Sequence, residues 1–366
     1  MSTAFDPIEV GNQKLTNRIV MSPMTRSRAY GPENSVTDDT ATYYRQRAEA
    51  GLIVTEGIQP SVVGQGYPHT PGLHSAVQVE AWRRVTDAVH AEGGVIFAQL
   101  MHTGRIGHPD SYPSPQTPVG PSPVRAAGQI FTVQGRQDFV VPRELTSAEV
   151  EQTISDFVDA ARNAVAAGFD GVEVHGANGY LLHQFLSTNA NQRSDEWGGS
   201  PARRARLVIE TTQAIAAAIG PDRTGLRLSP ANPLNDIVED DHRDTYPLVL
   251  NALDALGLAY LHVLETQDPE FTPLLRQAWS GPFMLNPATP GGHTGPEHLR
   301  LLDNGAADLI SFGKLFIANP DLPTRMQAGA PLATPDMTKA YGGDHRGYTD
   351  YPTYSQTVAT SETGVP

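Results

Sequence analysis

One local pattern recurs eight times along the 366-residue chain: a short apolar run, a polar or glycine-rich loop, then a stretch of helical periodicity. The strand-like runs are Asn17–Ser22, Gly51–Thr55, Gly94–Leu100, Phe169–Val174, Arg223–Ser229, Ala259–Leu264, Phe283–Leu285 and Asp308–Phe312. Helices are expected over Asp39–Ala50, Val77–Glu92, Ser147–Gly168, Pro201–Ile219, Thr245–Leu256, Phe271–Trp279 and Gly295–Asn304, and near Leu322–Gln327. The clearest is Ser147–Gly168, with Ser147 as its expected cap and Ile154, Val158, Ala161 and Val165 on one face. Such alternation builds a doubly wound sheet or a closed barrel. Eight units without a dividing linker favour the barrel, so the expected fold is one α/β domain over 1–366, a (β/α)8 TIM barrel. Three additions are expected. Phe5–Leu15 reads as a hairpin turning at Gly11-Asn12. The Pro/Gly-rich stretch 108–143, after the third strand, is too long for a connection and reads as a lid or packed excursion. The Ser/Thr-rich tail 353–366 is expected to be loose.

Composition narrows the chemistry. The chain has no cysteine, which excludes disulfides, Cys nucleophiles, Cys-ligated zinc and iron–sulfur clusters, and fits a cytoplasmic location. A formal net charge of −14 speaks against nucleic acid and anionic membrane as partners. No run approaches the roughly 20 apolar residues of a membrane span. The start, MSTAFDPIEV, has neither the basic nor the apolar region of a signal peptide. His69, His74, His90, His102 and His108 show no ligand spacing such as HExxH, so no metal site is expected. With neither GxxxxGK[ST] nor a strand-linked GxGxxG, a dinucleotide would not bind in the Rossmann manner.

In a barrel of this kind the chemistry lies on the loops after the strands. The fourth strand ends at His175, with Asn178 and Tyr180 close behind: two side chains able to hold a polar oxygen and one able to give a proton. Thr25 follows the first strand and Gly57 the second; Gln99 ends the third and Arg227 lies within the fifth. Gly291-Gly292 and Gly313-Lys314 follow strands seven and eight, the usual phosphate seat of the fold, where glycine backbone and a lysine would meet an anion. A phosphorylated ligand spanning the rim is implied. Each residue also has a plainer reading. Arg227 and Gln99 could pair with a structural carboxylate, His175 could be a satisfied core histidine, Tyr180 a wedge, and Gly291-Gly292 only a turn.

Five stretches, in order, resemble the Old Yellow Enzyme family of FMN-dependent ene-reductases. They are Asn17–Arg26 (NRIVMSPMTR), Gln99–Arg105 (QLMHTGR), His175–Leu182 (HGANGYLL), Asn191–Ser200 (NQRSDEWGGS) and Phe312–Leu322 (FGKLFIANPDL), and the match runs from Phe5 to Tyr351. The resemblance implies tightly but non-covalently bound FMN and NAD(P)H as reductant. It implies Pro23, Met24, Thr25, Gly57 and Gln99 along the flavin ring, Arg227 near its N1/O2 edge, and Gly291, Gly292, Gly313 and Lys314 at the phosphate. It further implies that His175 and Asn178 bind the substrate's activating oxygen, that Tyr180 donates the proton, and that Tyr67, Met101 and Tyr341 border the substrate. Many relatives have Arg at Lys314 and Trp at Met101; Lys keeps the charge without the fork, and Met should widen the pocket. Thr25 places the chain in the main branch rather than the branch with Cys there. The implied reaction is reduction of C=C bonds conjugated to a carbonyl or nitro group, with nitro compounds and nitrate esters as further candidates, by a monomer or homodimer. A 2-hydroxy-acid oxidase, a dihydroorotate dehydrogenase or a non-catalytic binder are the alternatives; the first two lack the His-x-x-Asn-x-Tyr set.

Overall fold

The computed structural model describes residues 3–114 and 116–362. Eight parallel strands close into a barrel. They are β1 (Ile19–Met21), β2 (Leu52–Ile58), β3 (Ile96–Leu100), β4 (Gly171–Gly176), β5 (Thr224–Leu228), β6 (Tyr260–Leu264), β7 (Phe283–Asn286) and β8 (Leu309–Phe312). β3 pairs with β4, and β8 returns to β1, which closes the ring. The expected (β/α)8 TIM barrel is the fold observed.

Two faces of each strand see different surroundings. The outward set, including Ile53, Ile96, Ala98, Val172, Val174 and Leu261, joins the helices in one large core. The inward set is apolar at one end. Val20, Leu52, Val54, Phe97, Tyr260, Met284 and Leu309 form a second core inside the barrel. Val10 and Leu15 of the hairpin Ile8–Val10/Gln13–Leu15 belong to this core, so the hairpin stoppers that end. Two glycines make room for its aromatic rings. A Cβ on Gly171 would meet the Phe97 ring at 2.5 Å, and one on Gly225 would meet the Tyr260 ring at 2.4 Å. Two residues further along the strands the inward side chains turn polar: Gln99 after Phe97, His262 after Tyr260, Asn286 after Met284, Ser311 after Leu309. Because side chains alternate in a strand, this step of two keeps them on the inner face while moving them toward the carboxyl end.

Several boundaries differ from expectation. The helix Ser147–Ala166 is capped by Thr146, not Ser147: Glu149 closes a capping box on Thr146. Glu56 and Gly57 lie inside β2, whose register to β3 shifts between Val54 and Gly57. The helix expected from Thr245 begins at His242 and accommodates Pro247. The excursion folds on itself. Gln129–Thr132 and Gly135–Asp138 form a hairpin, and Ile106, Ala126, Ile130 and Phe139 make a small core against Tyr67 and Tyr180. The tail expected to be loose is helical over Tyr354–Glu362, where the Tyr354 N–H donates to Asp321; just before it, Arg325 Nη2 donates to Pro352 O at 2.8 Å. Residues 363–366 of that tail lie outside the described residues.

The filled inner core yields a first prediction. Gly225→Ala should lower unfolding free energy in urea by roughly 1–3 kcal/mol, the cost of overpacking. Wild-type stability would mean that the Tyr260 ring does not occupy that space.

Candidate active site

The polar inner residues open onto a cavity of about 300 Å3 at the carboxyl end of the barrel. Pro23, Met24 and Thr25 follow β1 and line it, with Gly57 from β2 and Gln99 and Met101 from β3. His175, Asn178 and Tyr180 enter from β4 and its loop, and Arg227 from β5. Gly313 and Lys314 reach it from the end of β8, and Tyr341 from the C-terminal segment. Two expected groups stand elsewhere. Gly291 and Gly292 lie on an exposed turn after β7; Gly292 faces a separate cleft shared with Leu315. Tyr67 lines an adjoining cleft of about 400 Å3 that shares Thr25, Tyr180 and Tyr341 with the main cavity and adds Phe131 from the excursion hairpin.

His175 is buried opposite Arg227 in the β4–β5 register. Burial first, then the Arg227 charge, pushes its imidazole well below the ordinary range, so it is neutral and carries one proton. Its Nδ1 is buried without a partner. An unpaired lone pair costs less there than an unpaired N–H, which puts the proton on Nε2. Asn178 arrives at the same answer by another route. The Leu234 N–H donates to Asn232 Oδ1 at 3.1 Å, which fixes the Asn232 amide. Asn232 Nδ2 then donates to Asn178 Oδ1 at 3.0 Å, leaving Asn178 Nδ2 as a spare donor. The Asn178 backbone has φ 58°, a left-handed conformation that asparagine tolerates. Its N–H donates to Ser229 Oγ at 2.9 Å and its carbonyl accepts from Asn235 Nδ2 at 2.7 Å, so the β5 loop holds it in place. The cavity therefore has two spare N–H donors on one wall.

Tyr180 packs its ring 5.3 Å from that of His175. Its hydroxyl lies 3.1 Å from the Tyr67 hydroxyl. Burial raises the Tyr180 phenol above its ordinary value, which keeps the proton in place. Arg227 supplies the positive charge. Its Nε is buried without a partner, and its Nη2 donates to Asn286 Oδ1 at 3.5 Å. Gln99 spends Nε2 on Glu173 at 2.8 Å. Met101 lies over Gly57, where any Cβ would stand 2.6 Å from its Sδ. A guanidinium with an unpaired Nε, a half-used amide and a lysine beyond them fit a flat, polar-edged anionic group of the kind FMN presents. Among the described residues no group of three or more His, Cys, Asp or Glu is placed to hold a metal.

Glu56 and Glu173, which the sequence reading passed over, hold residues that line the cavity. Glu56 accepts the Arg26 N–H at 3.1 Å and so fixes the segment carrying Thr25. Arg26 in turn donates from Nε to Ala340 O at 2.9 Å and from Nη2 to Gly347 O at 2.8 Å, which ties down the strand of chain bearing Tyr341. The available signal was a carboxylate inside an apolar strand, a place where acids need partners. Burial lifts the Glu56 carboxyl to about 7, despite the opposing pull of Arg26. The folded protein thus binds this proton more tightly than the unfolded chain. Its stabilising contribution is complete below the unfolded value and is lost as pH rises through about 7. Over that window the loss is about 3 kcal/mol. Urea melts at about pH 5 and about pH 8 should show most of this loss in wild type and its absence in Glu56→Gln. Parallel pH dependences would assign no titration to Glu56.

A family model described as NADH:flavin oxidoreductase / NADH oxidase matches residues 3–333. The chain is 38% identical over 361 residues to 12-oxophytodienoate reductase 1 of Oryza sativa subsp. japonica, covering 94% of this chain and 92% of that one. It is 37% identical to 12-oxophytodienoate reductase 2 of Arabidopsis thaliana, with 96% of each covered. Among solved structures it resembles the old yellow enzyme homologue from Zymomonas mobilis with a TM-score of 0.91 and 39% identity, over 96% of this chain and 99% of that one. Morphinone reductase in complex with tetrahydroNAD gives a TM-score of 0.91 and 39% identity, over 96% and 98%.

Proposed function

Because the chain belongs to the NADH:flavin oxidoreductase / NADH oxidase family, and within it to the Old Yellow Enzymes, we propose that its cavity reduces C=C bonds conjugated to a carbonyl or nitro group. The protein is an NAD(P)H-dependent flavin oxidoreductase with FMN as cofactor. Three of the relatives named above are by name reductases of 12-oxophytodienoate or morphinone, which supports small unsaturated ketones as the substrate class. Bound FMN supplies the hydride chemistry between reductant and substrate. Arg227, Gln99 and the Gly313-Lys314 turn are the groups lining the cavity that would hold it, with Gly291-Gly292 on the exposed turn after β7 as further candidates for its phosphate.

The observation that carries the reading is the pair of spare donors beside a protonated phenol. A conjugated alkene gains negative charge on its activating oxygen as its β-carbon is reduced. His175 Nε2–H and Asn178 Nδ2–H meet that oxygen and stabilise the charge, since each is fixed before the substrate arrives. A cationic His175 would have invited transfer of its own proton; the neutral ring polarises instead. Tyr180 gives its proton to the α-carbon. Tyr67, hydroxyl to hydroxyl with Tyr180, donates to the phenolate left behind. The cleft of Tyr67, Phe131 and Tyr341 receives the substituents on the alkene.

The half-reactions separate these roles. His175→Ala and Asn178→Ala should each slow reoxidation of the reduced enzyme by 2-cyclohexenone by roughly 2.7–4 kcal/mol of barrier, while reduction by NAD(P)H changes less. Stopped-flow traces in which both mutants consume the enone at wild-type rates would make the pair structural. Tyr180→Phe should slow the same step by roughly 10²–10⁴-fold and spare flavin reduction. Nitroalkenes should suffer less than enones, because a nitronate is stable enough to take its proton from water. Equal slowing of both substrates would point to a packing defect.

A further inference from the structure

One inner side chain, Glu173, has no part in the chemistry above. Its carboxylate is fully buried and accepts from three side chains. Gln99 Nε2 donates to Oε1 at 2.8 Å, while Tyr260 Oη at 3.1 Å and His262 Nδ1 at 2.8 Å donate to Oε2. His262 Nε2 lies 2.9 Å from Ser311 Oγ. Burial works against a charge here, but His262, Arg227 and Gln99 outweigh it and hold the carboxyl below its ordinary range. A carboxylate only accepts, so His262 carries its proton on Nδ1, and burial, lowering its pKa, leaves Nε2 to accept the Ser311 hydroxyl. The same rule decides the Gln99 amide. Its NH2 end is spent on Glu173, so its carbonyl is the end left for the cavity it lines. Among the described residues Gln99 Oε1 has no partner, and it is not among the side-chain atoms buried without one. Arg227 stands on the neighbouring strand, two residues beyond Gly225, the register partner of Glu173.

We propose that Glu173 is a positioning residue for the flavin, with two effects. It turns the Gln99 carbonyl outward as an acceptor for the imide N–H of the flavin's pyrimidine ring, the only N–H of an oxidised isoalloxazine. Its negative charge offsets part of the Arg227 charge that stabilises a reduced, anionic flavin. The inference rests on the reading of the cavity as an FMN site.

Glu173→Gln tests both effects. The new amide, its oxygen held by Tyr260 and His262, offers its NH2 to Gln99 and reverses it, so oxidised FMN should bind less tightly. With the offsetting charge gone, the ratio of affinities for reduced over oxidised FMN should rise at least tenfold, about 30 mV toward positive potential for two electrons. Dye-equilibrated reductive titration of the holoenzyme reads that shift. A variant with native circular dichroism and the wild-type potential overturns the proposal. So does equal loss of affinity for both redox forms, which would show that the Glu173 charge does not offset that of Arg227 at the flavin. A second arm needs no variant: apoenzyme reconstituted with N3-methyl FMN should bind it at least tenfold more weakly than FMN. Equal affinity would show that Gln99 does not present its carbonyl, and overturns the proposal. Wild-type protein that takes up no FMN would instead strike at the cofactor reading, so the two failures are distinguishable.

Discussion

Side chains in a strand alternate between two faces, and in this barrel everything follows from what the inner face carries. Each inward position near the hairpin is apolar and tightly filled, with Phe97 and Tyr260 set against the bare backbones of Gly171 and Gly225. The next inward position is polar. That single step from hydrocarbon to hydrogen bonds converts a packed core into the floor of a binding cavity. It is affordable only because the buried polar groups satisfy one another. Glu173 gathers Gln99, Tyr260 and His262, and His262 passes the chain to Ser311. The groups left without partners are therefore informative. His175 Nδ1 and Arg227 Nε remain buried and unpaired beside the cavity.

Above this floor, position is set by long-range contacts. Asn178 and Tyr180 follow β4, but Asn178 is held by Ser229, Asn232 and Asn235 from the β5 loop. Thr25 is held through Glu56 and Arg26, and Tyr341 through the same arginine. The Arg26 guanidinium lies 4.9 Å from the Tyr43 ring centroid and 5.0 Å from that of Tyr348, joining the first helix to the C-terminal segment. Two distant parts of the chain thus border one cavity through a single cation.

Much of this was legible in the sequence, for reasons that can be stated. The eight strands and the hairpin were visible because apolar runs and turn residues are local signals. The residues from His175 to Tyr180 were visible because they sit together at the end of one strand. What was not legible depended on partners far along the chain. Glu173 was passed over because Tyr260 and His262 meet it only after the barrel closes. Glu56-Gly57 was placed after β2 because nothing local announces the shift of register there. Ser147 and Thr146 are both good caps, and only the position of Glu149 decides between them. Gly291-Gly292 was assigned to the rim from its place in the order of loops; the turn is exposed, and Gly292 lines a second cleft with Leu315.

We propose that one cavity joins FMN, two fixed N–H donors and a protonated tyrosine for the reduction of activated alkenes. An anaerobic visible spectrum of the purified holoenzyme tests it most directly. The protein should be yellow, bleach on addition of NAD(P)H, and recover its absorbance when 2-cyclohexenone is added, with cyclohexanone formed in an amount equal to the flavin reoxidised. A flavin that NAD(P)H bleaches and the enone leaves bleached would contradict the assignment of His175, Asn178 and Tyr180 to alkene reduction.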